Sequence, residues 1–203
     1  TLFRLYLDMA RLDDAHLLLE EVKRTPDSSG SDRKQIYVLL LQGQLHRRTG
    51  QFTSGRLALT QALELVRERG RHGLAREIQD ALAQLLSDSG QHRPALDCLN
   101  TPAGDRHHLL PRDAARRALI RCEIHARLGE CGQAVSWGLQ ALDLYAAMPD
   151  PLQHARGLEA LADAHAGLGD VHAAGDCRRR ALEIFTRLDA PDAKQLQALL
   201  KTV

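Results

Sequence analysis

Aromatic residues are scarce in this chain: three Phe, three Tyr and one Trp make up 3% of its 203 residues. Single-stranded nucleic acid is usually held on stacked aromatic platforms, so that mode of binding is disfavoured. An excess of positive charge is missing too, with 27 Lys and Arg against 26 Asp and Glu. Without a net field a phosphate backbone cannot be held by counterion release, and direct contact with nucleic acid is not expected. The four cysteines, Cys98, Cys122, Cys131 and Cys177, include no CxxC pair. That is not a disulfide framework, and a reduced, cytoplasmic setting is expected. No apolar run approaches the roughly 18 to 20 residues that a bilayer span needs, and no basic flank with an apolar signal segment opens the chain. No membrane partner is expected. Alternating β-branched runs, the signature of strands, are absent as well.

What is present is helical periodicity. With 44% hydrophobic and 26% charged residues the composition is that of a soluble globular protein, its core built from Leu and Ala. Apolar residues recur at helical spacing, as in Leu57, Leu59, Ala62, Leu63 and Val66. The class read from this pattern is all-α. The chain starts at Thr1 directly in such a pattern, "LFRLYLDMARLDDAHLLLEEVKR", and is expected to be a fragment of something longer.

The helices repeat. Three segments, "QLHRRTG" (44–50), "EIHARLG" (123–129) and "DAHAGLG" (163–169), share a His followed four residues later by a Gly. Taking the glycine as a marker adds Gly90, and Gly50, Gly90, Gly129 and Gly169 recur about every forty residues. Seven residues before each stands a small side chain, Gly43, Ala83, Cys122 or Ala162; five after it comes Gly55, Ala95, Ala134 or Ala174. Twelve after it come Ala62, Pro102, Ala141 and Ala181. Small residues at these spacings let two helices approach closely, with the glycine supplying a left-handed turn between them. Each unit is therefore expected to be a helical hairpin. A further hairpin fits at the N-terminus, with Phe3, Tyr6, Ala10, Leu12, Ala15 and Leu19 in matching places.

These positions resemble the tetratricopeptide repeat family, most clearly over 155–184, "ARGLEALADAHAGLGDVHAAGDCRRRALEI". The resemblance implies an α-solenoid of stacked helix-turn-helix repeats, a single repeat domain over residues 1–203. Repeats are expected at about 1–24, 36–66, 76–101, 115–146 and 155–187, with a capping helix at about 192–202 that opens on Pro191 and Asp192. The period exceeds the 34 residues of the standard repeat. Long-period repeats of this kind are similar to the sensor regions of bacterial transcription regulators. Pro102 cannot sit inside a helix, so the second full repeat is expected to end early and leave "TPAGDRHHLLPRD" as an irregular connector.

The repeated histidines are the natural first candidates for chemistry. In this register His46, His125 and His165 stand where the family carries a Tyr, near the end of the first helix; the second full repeat has Leu86 there. A metal needs its His nitrogens about 2.1 Å away, whereas equivalent positions on neighbouring helices are about 8–10 Å apart. A three-histidine site is thereby excluded; a two-ligand site from His125 and His165, in a metal protein or enzyme using these histidines, is the lesser alternative, with no carboxylate or thiolate placed to complete it, and the histidines are expected to pack. His107 and His108 fall in the irregular connector and are expected to be solvated. The cysteines read as small hydrophobes, and the arginines of "CRRRALE" (177–183) as a solvated face. With no phosphate loop, HExxH or nucleophile turn, neither enzyme activity nor a cofactor is expected.

Function is expected on the inner, concave face, which the resemblance assigns to the first helix of each repeat. Carried over residue by residue, that face comprises Tyr37, Leu40, Gln44, Arg47 and Arg48, then Glu77, Asp80, Gln84 and Asp88. Arg116, Leu119, Glu123 and Arg127 follow, then Arg156, Glu159 and Asp163. A groove of such mixed sign suits a protein or peptide ligand carrying both charges. Equally, opposite charges on adjacent repeats can pair with each other. The alternative role is architectural self-association, with a homodimer as one form of it.

Overall fold

A computed structural model describes residues 2–25, 31–69, 74–102, 110–148 and 150–200. Among these residues all regular structure is helical, in eleven elements. They are α1 (Leu2–Asp8), α2 (Leu12–Arg24), α3 (Ser31–Arg48), α4 (Phe52–Glu68), α5 (Ala75–Asp88), α6 (His92–Asn100), α7 (Pro111–Arg127), α8 (Cys131–Ala146), α9 (Pro151–Gly167), α10 (Val171–Arg187) and α11 (Asp192–Leu200). Consecutive helices pair as hairpins, and hairpins stack on their neighbours within each of two compact units, Thr1–Arg106 and His107–Val203. The boundary between the units falls in the expected connector, of which 103–109, with His107 and His108, lie outside the described residues. The "GRHG" stretch at 70–73 and the chain end at 201–203 lie outside them too.

One turn builds every hairpin. At the end of α3 the Gly50 N–H donates to the Arg47 carbonyl and the Gln51 N–H to the His46 carbonyl, the bond pair of a Schellman motif. The same two bonds recur at Gly90, Gly129 and Gly169, all with φ between 73° and 83° like Gly50. Two further copies use residues with a Cβ, Ala10 (φ 55°) before α2 and Asp189 (φ 50°) before α11. A left-handed residue is thus required at each turn, and glycine supplies it without strain in four of the six.

The small residues lie at close approaches. Gly43, Ala83, Cys122 and Ala162 are buried, as are Gly55, Ala95, Ala134 and Ala174. A Cβ at Gly43 would collide with the Leu59 side chain, and one at Gly138 would lie 3.0 Å from Leu161 Cδ1 and 3.1 Å from Cys122 Sγ. Burial pushes the Cys122 thiol up to about 12, so it stays protonated and packs as an apolar group.

In the first unit, one core joins Phe3 and Leu7 of α1, Ala15 and Leu19 of α2 and Leu41 and Leu45 of α3. A second gathers α3, α4 and α5 around Ile36, Leu40, Leu59, Val66, Ile78 and Leu85. Here α6 stops at Asn100 after nine residues, against 17 in α4, as Pro102 demands. In the second unit, Ala115, Leu119 and Cys122 of α7 pack with Ala141 and Tyr145 of α8 and Ala160 and Ala164 of α9. Leu158, Ala181 and Phe185 then carry α9 and α10 onto α11 through Leu196, so α11 covers the last hairpin as a capping helix should. No helix among the described residues is long and apolar enough to cross a membrane.

Candidate functional site

The histidines sit on the turns themselves. In each Schellman motif the acceptor carbonyl four residues before the left-handed residue belongs to Tyr6, His46, Leu86, His125, His165 or Phe185. Imidazole, phenol, phenyl and isobutyl groups therefore share one structural position, which makes it a packing position. His125 is buried and its Nδ1 lies 2.6 Å from Glu130 Oε2, the residue that opens α8. His165 Nδ1 is 3.8 Å from Asp170 Oδ2, while Asp170 Oδ1 accepts the Ala173 N–H and caps α10. The His125 side chain thus ties its first helix to the start of the second, whereas His165 Nδ1 is buried without a hydrogen-bond partner. Among the described residues no group of three His, Cys, Asp or Glu converges on a common point.

Residues ten, six and two before each turn lie on one stripe of the first helix, as i, i+4 and i+8 positions do. The ten-before row is Leu40, Asp80, Leu119 and Glu159, and it lies deeper than expected. Leu40, Asp80 and Leu119 are 0%, 3% and 4% exposed. The expectation that these three face a ligand is therefore corrected. Leu40 is part of the core between α3 and α5, and Leu119 of that between α7 and α9, because adjacent first helices close over this row.

In the first unit the charges at the rim are matched from hairpin to hairpin. Arg47 Nη1 is 2.9 Å from Asp88 Oδ2, bridging α3 to α5. Arg48 Nη2 donates to the Leu7 carbonyl at 2.9 Å and lies 3.7 Å from Asp8, bridging α3 to α1. Tyr37, Gln44, Glu77 and Gln84 are half-buried on the same face. The internal pairing weighed from the sequence thus accounts for both arginines.

In the second unit the row six before each turn is acidic, Glu123 and Asp163, where the first has Gln44 and Gln84. Glu123 of α7 is half-buried, and Asp163 of α9 is exposed and 3.1 Å from Arg178 of α10. Arg178 is 14% exposed, so this arginine of the "CRRRALE" run faces inward rather than into solvent; Arg179 pairs with Asp176. Arg116 lies 3.4 Å from Asp113, Arg127 is exposed, and Arg156 Nη2 lies 3.7 Å from Asp192 Oδ2. Glu159 is the exceptional group. Burial, with the carboxylates of Asp192, Asp163 and Glu123, pushes it up to about 7 against the pull of Arg156.

No family model and no curated protein matches the sequence. A solved structure does. The crystal structure of BtubC (BKLC) from P. vanneervenii is similar, with a TM-score of 0.60, 17% sequence identity, and coverage of 93% of this chain and 78% of that one. At this identity the likeness shows the fold alone, an all-α arrangement of helical repeats.

Three side-chain contacts were not singled out from the sequence: Glu130 opposite His125, Asp8 opposite Arg48, and Asp192 beside Arg156. The first was within reach. The residue after each turn glycine is Gln51, Gln91, Glu130 or Asp170, polar every time, and in three of the four it follows a His by five positions.

Proposed function

We propose that the chain is a protein- or peptide-recognition module of stacked helical hairpins, with no catalytic activity of its own, working as the regulatory part of a larger bacterial protein. The observation that carries this reading is the row six before each turn. Gln44 and Gln84 occupy it in the first unit and Glu123 and Asp163 in the second, half-buried to exposed beside the closed ten-before row. A constant scaffold that varies its rim from neutral amides to carboxylates is suited to selecting a ligand by charge. The regulatory setting rests on the forty-residue period of the repeats.

The test is selection of peptides from a displayed library on the intact chain, followed by binding to two double variants, Gln44→Lys with Gln84→Lys and Glu123→Lys with Asp163→Lys. Selected peptides should lose at least about tenfold in affinity, or roughly 1.4 kcal/mol, for one of the pairs, with unchanged helical circular dichroism. Failure to select any peptide, or equal affinity for both variants, overturns the reading.

A second reading, self-association, is favoured by one observation. Leu45, Leu85 and Ala164, five before their turns, are buried against the preceding hairpin, whereas Leu5 in the same register of α1 is 49% exposed. Sedimentation velocity decides it: a monomer at all concentrations removes this reading, and a dimer lost on Leu5→Glu supports it.

A further inference from the structure

Successive hairpins meet through two unlike halves, and the glycines mark the register. A Cβ at Gly55, five after its turn, would collide with the Leu85 side chain, five before the next turn. One at Gly138, nine after its turn, would lie 3.0 Å from Leu161 Cδ1, eight before the next. One at Gly167, two before its turn, would collide with Cys131 Sγ, two after the preceding turn. A first helix therefore seats its residues eight, five and two before the turn on residues nine, five and two after the turn of the hairpin before it. Leu12 and Phe52, each two after a turn, and Leu19 and Leu59, each nine after, pack with the following hairpin in the same way.

One half of each kind is left exposed. On α1 the positions eight and five before the turn are Leu2 and Leu5, 53% and 49% exposed. On α10 the position two after the turn is Val171, 64% exposed, and Leu168 beside it in the turn is exposed too. Ala174 and Arg178 follow at five and nine after. Asp163 of α9 engages the Arg178 guanidinium at 3.1 Å, which leaves the aliphatic stem to line the seat. The lengths match as well. The helix α1 (Leu2–Asp8) spans only eight to two before its turn, so in this register it reaches no further along α10 than Arg178. The rest of that face belongs to α11, whose Leu196 packs on Ala181 and Phe185, twelve and sixteen after the turn.

We propose that α10 of one copy of the chain receives α1 of a second copy, in the seat that an inner hairpin gives to the first helix of the next. Leu5 comes over Ala174, Leu2 over the Arg178 stem, and the end of α1 against Val171, while α11 keeps its place. The occupant is a second copy because α1 carries the missing half in the matching register, and the contact continues an interface that the hairpins within each unit already use. The two surfaces differ, so the association is head to tail, and each copy offers one half of each kind. This rests on the self-association reading and names its two faces.

The experiment is sedimentation velocity of the whole chain, of Leu5→Glu and Val171→Glu alone, and of the two variants mixed in equal amounts. Both substitutions fall on exposed side chains, so helical circular dichroism should be unchanged; Leu2→Glu is a second block of the α1 half and should behave as Leu5→Glu does. The natural chain should gain mass with concentration. Each variant alone should associate at least about tenfold more weakly, since its own copies bring a carboxylate into an apolar seat. The mixture should recover a dimer, because Val171→Glu still offers α1 and Leu5→Glu still receives it, and should grow no further. A natural chain that stays monomeric at every concentration overturns this proposal together with the self-association reading. A natural chain that associates while either variant associates equally well, or while the mixture stays monomeric, overturns the head-to-tail seat and leaves self-association to another surface.

Discussion

The two units use one scaffold and treat charge differently. In the first, the ten-before row buries Leu40 and the carboxyl of Asp80, and the arginines at the rim are matched across hairpins, Arg47 to Asp88 and Arg48 to Asp8. In the second, Leu119 keeps the apolar choice in α7, but α9 places Glu159 in the row among Asp192, Asp163 and Glu123. The second carries a group that titrates at neutrality. This register position holds Leu in α3 and α7 and a carboxyl in α5 and α9, so stacking geometry does not by itself dictate the electrostatics of the inner face.

The largest effect should come from the buried row. Leu40→Ala and Leu119→Ala should each cost about 2–5 kcal/mol in chemical denaturation, the usual range for truncating a fully buried leucine. A loss below about 0.5 kcal/mol, typical of exposed sites, would return both residues to the ligand-facing role expected from the sequence.

Next in size is the carboxyl that distinguishes the second unit. Glu159 has an ordinary value of 4.5 and is raised to about 7 in the fold, so its protonated form is the one the fold favours. Its stabilising contribution is complete below the unfolded value and is lost as pH rises through about 7. Glu159→Gln should match the natural chain near pH 4.5 and exceed it by about 2 kcal/mol at pH 8, after allowance for partial solvation. Parallel stability curves for the two proteins across this range would remove the contrast between the units.

A smaller effect should appear at the turns, which both units share. Gly90→Ala and Gly169→Ala place a Cβ in open space but at φ of 83° and 80°, so the cost is conformational, about 1 kcal/mol each in the thermal midpoint analysis. Asp189→Gly, which relieves a left-handed residue with a side chain, should gain up to about 1 kcal/mol. The smallest effect belongs to the Arg47 and Asp88 pair, 17% and 29% exposed. A double-mutant cycle to Ala should give a coupling of about 0.5 kcal/mol, diminishing with salt.

These contrasts also mark what the sequence could convey. Helical spacing and the recurring turn glycine located the four hairpins that turn on Gly50, Gly90, Gly129 and Gly169, because both are local demands: a 3.6-residue period and one left-handed residue per turn. Pro102 marked the end of α6 for the same reason. The inner face was less legible because burial there depends on how closely neighbouring first helices approach, which no single helix records. Read as a column, Leu40, Asp80, Leu119 and Glu159 nonetheless hold a clue. Two leucines at one register position point to a packed row, and that leaves the two carboxyl groups as the residues needing explanation. Asp192 was read from its place after Pro191 as a helix start, and its pairing with Arg156 emerges only when α11 folds back over the last hairpin.

The claim on which the comparison rests is that the inner face of the second unit carries a carboxyl that titrates near neutrality. Carbon-detected NMR of the glutamate side-chain carboxyls across pH 4 to 9, with Glu159 assigned through Glu159→Gln, measures it directly. The account predicts a midpoint near 7 for Glu159. A midpoint at the ordinary glutamate value of 4.5 would contradict it.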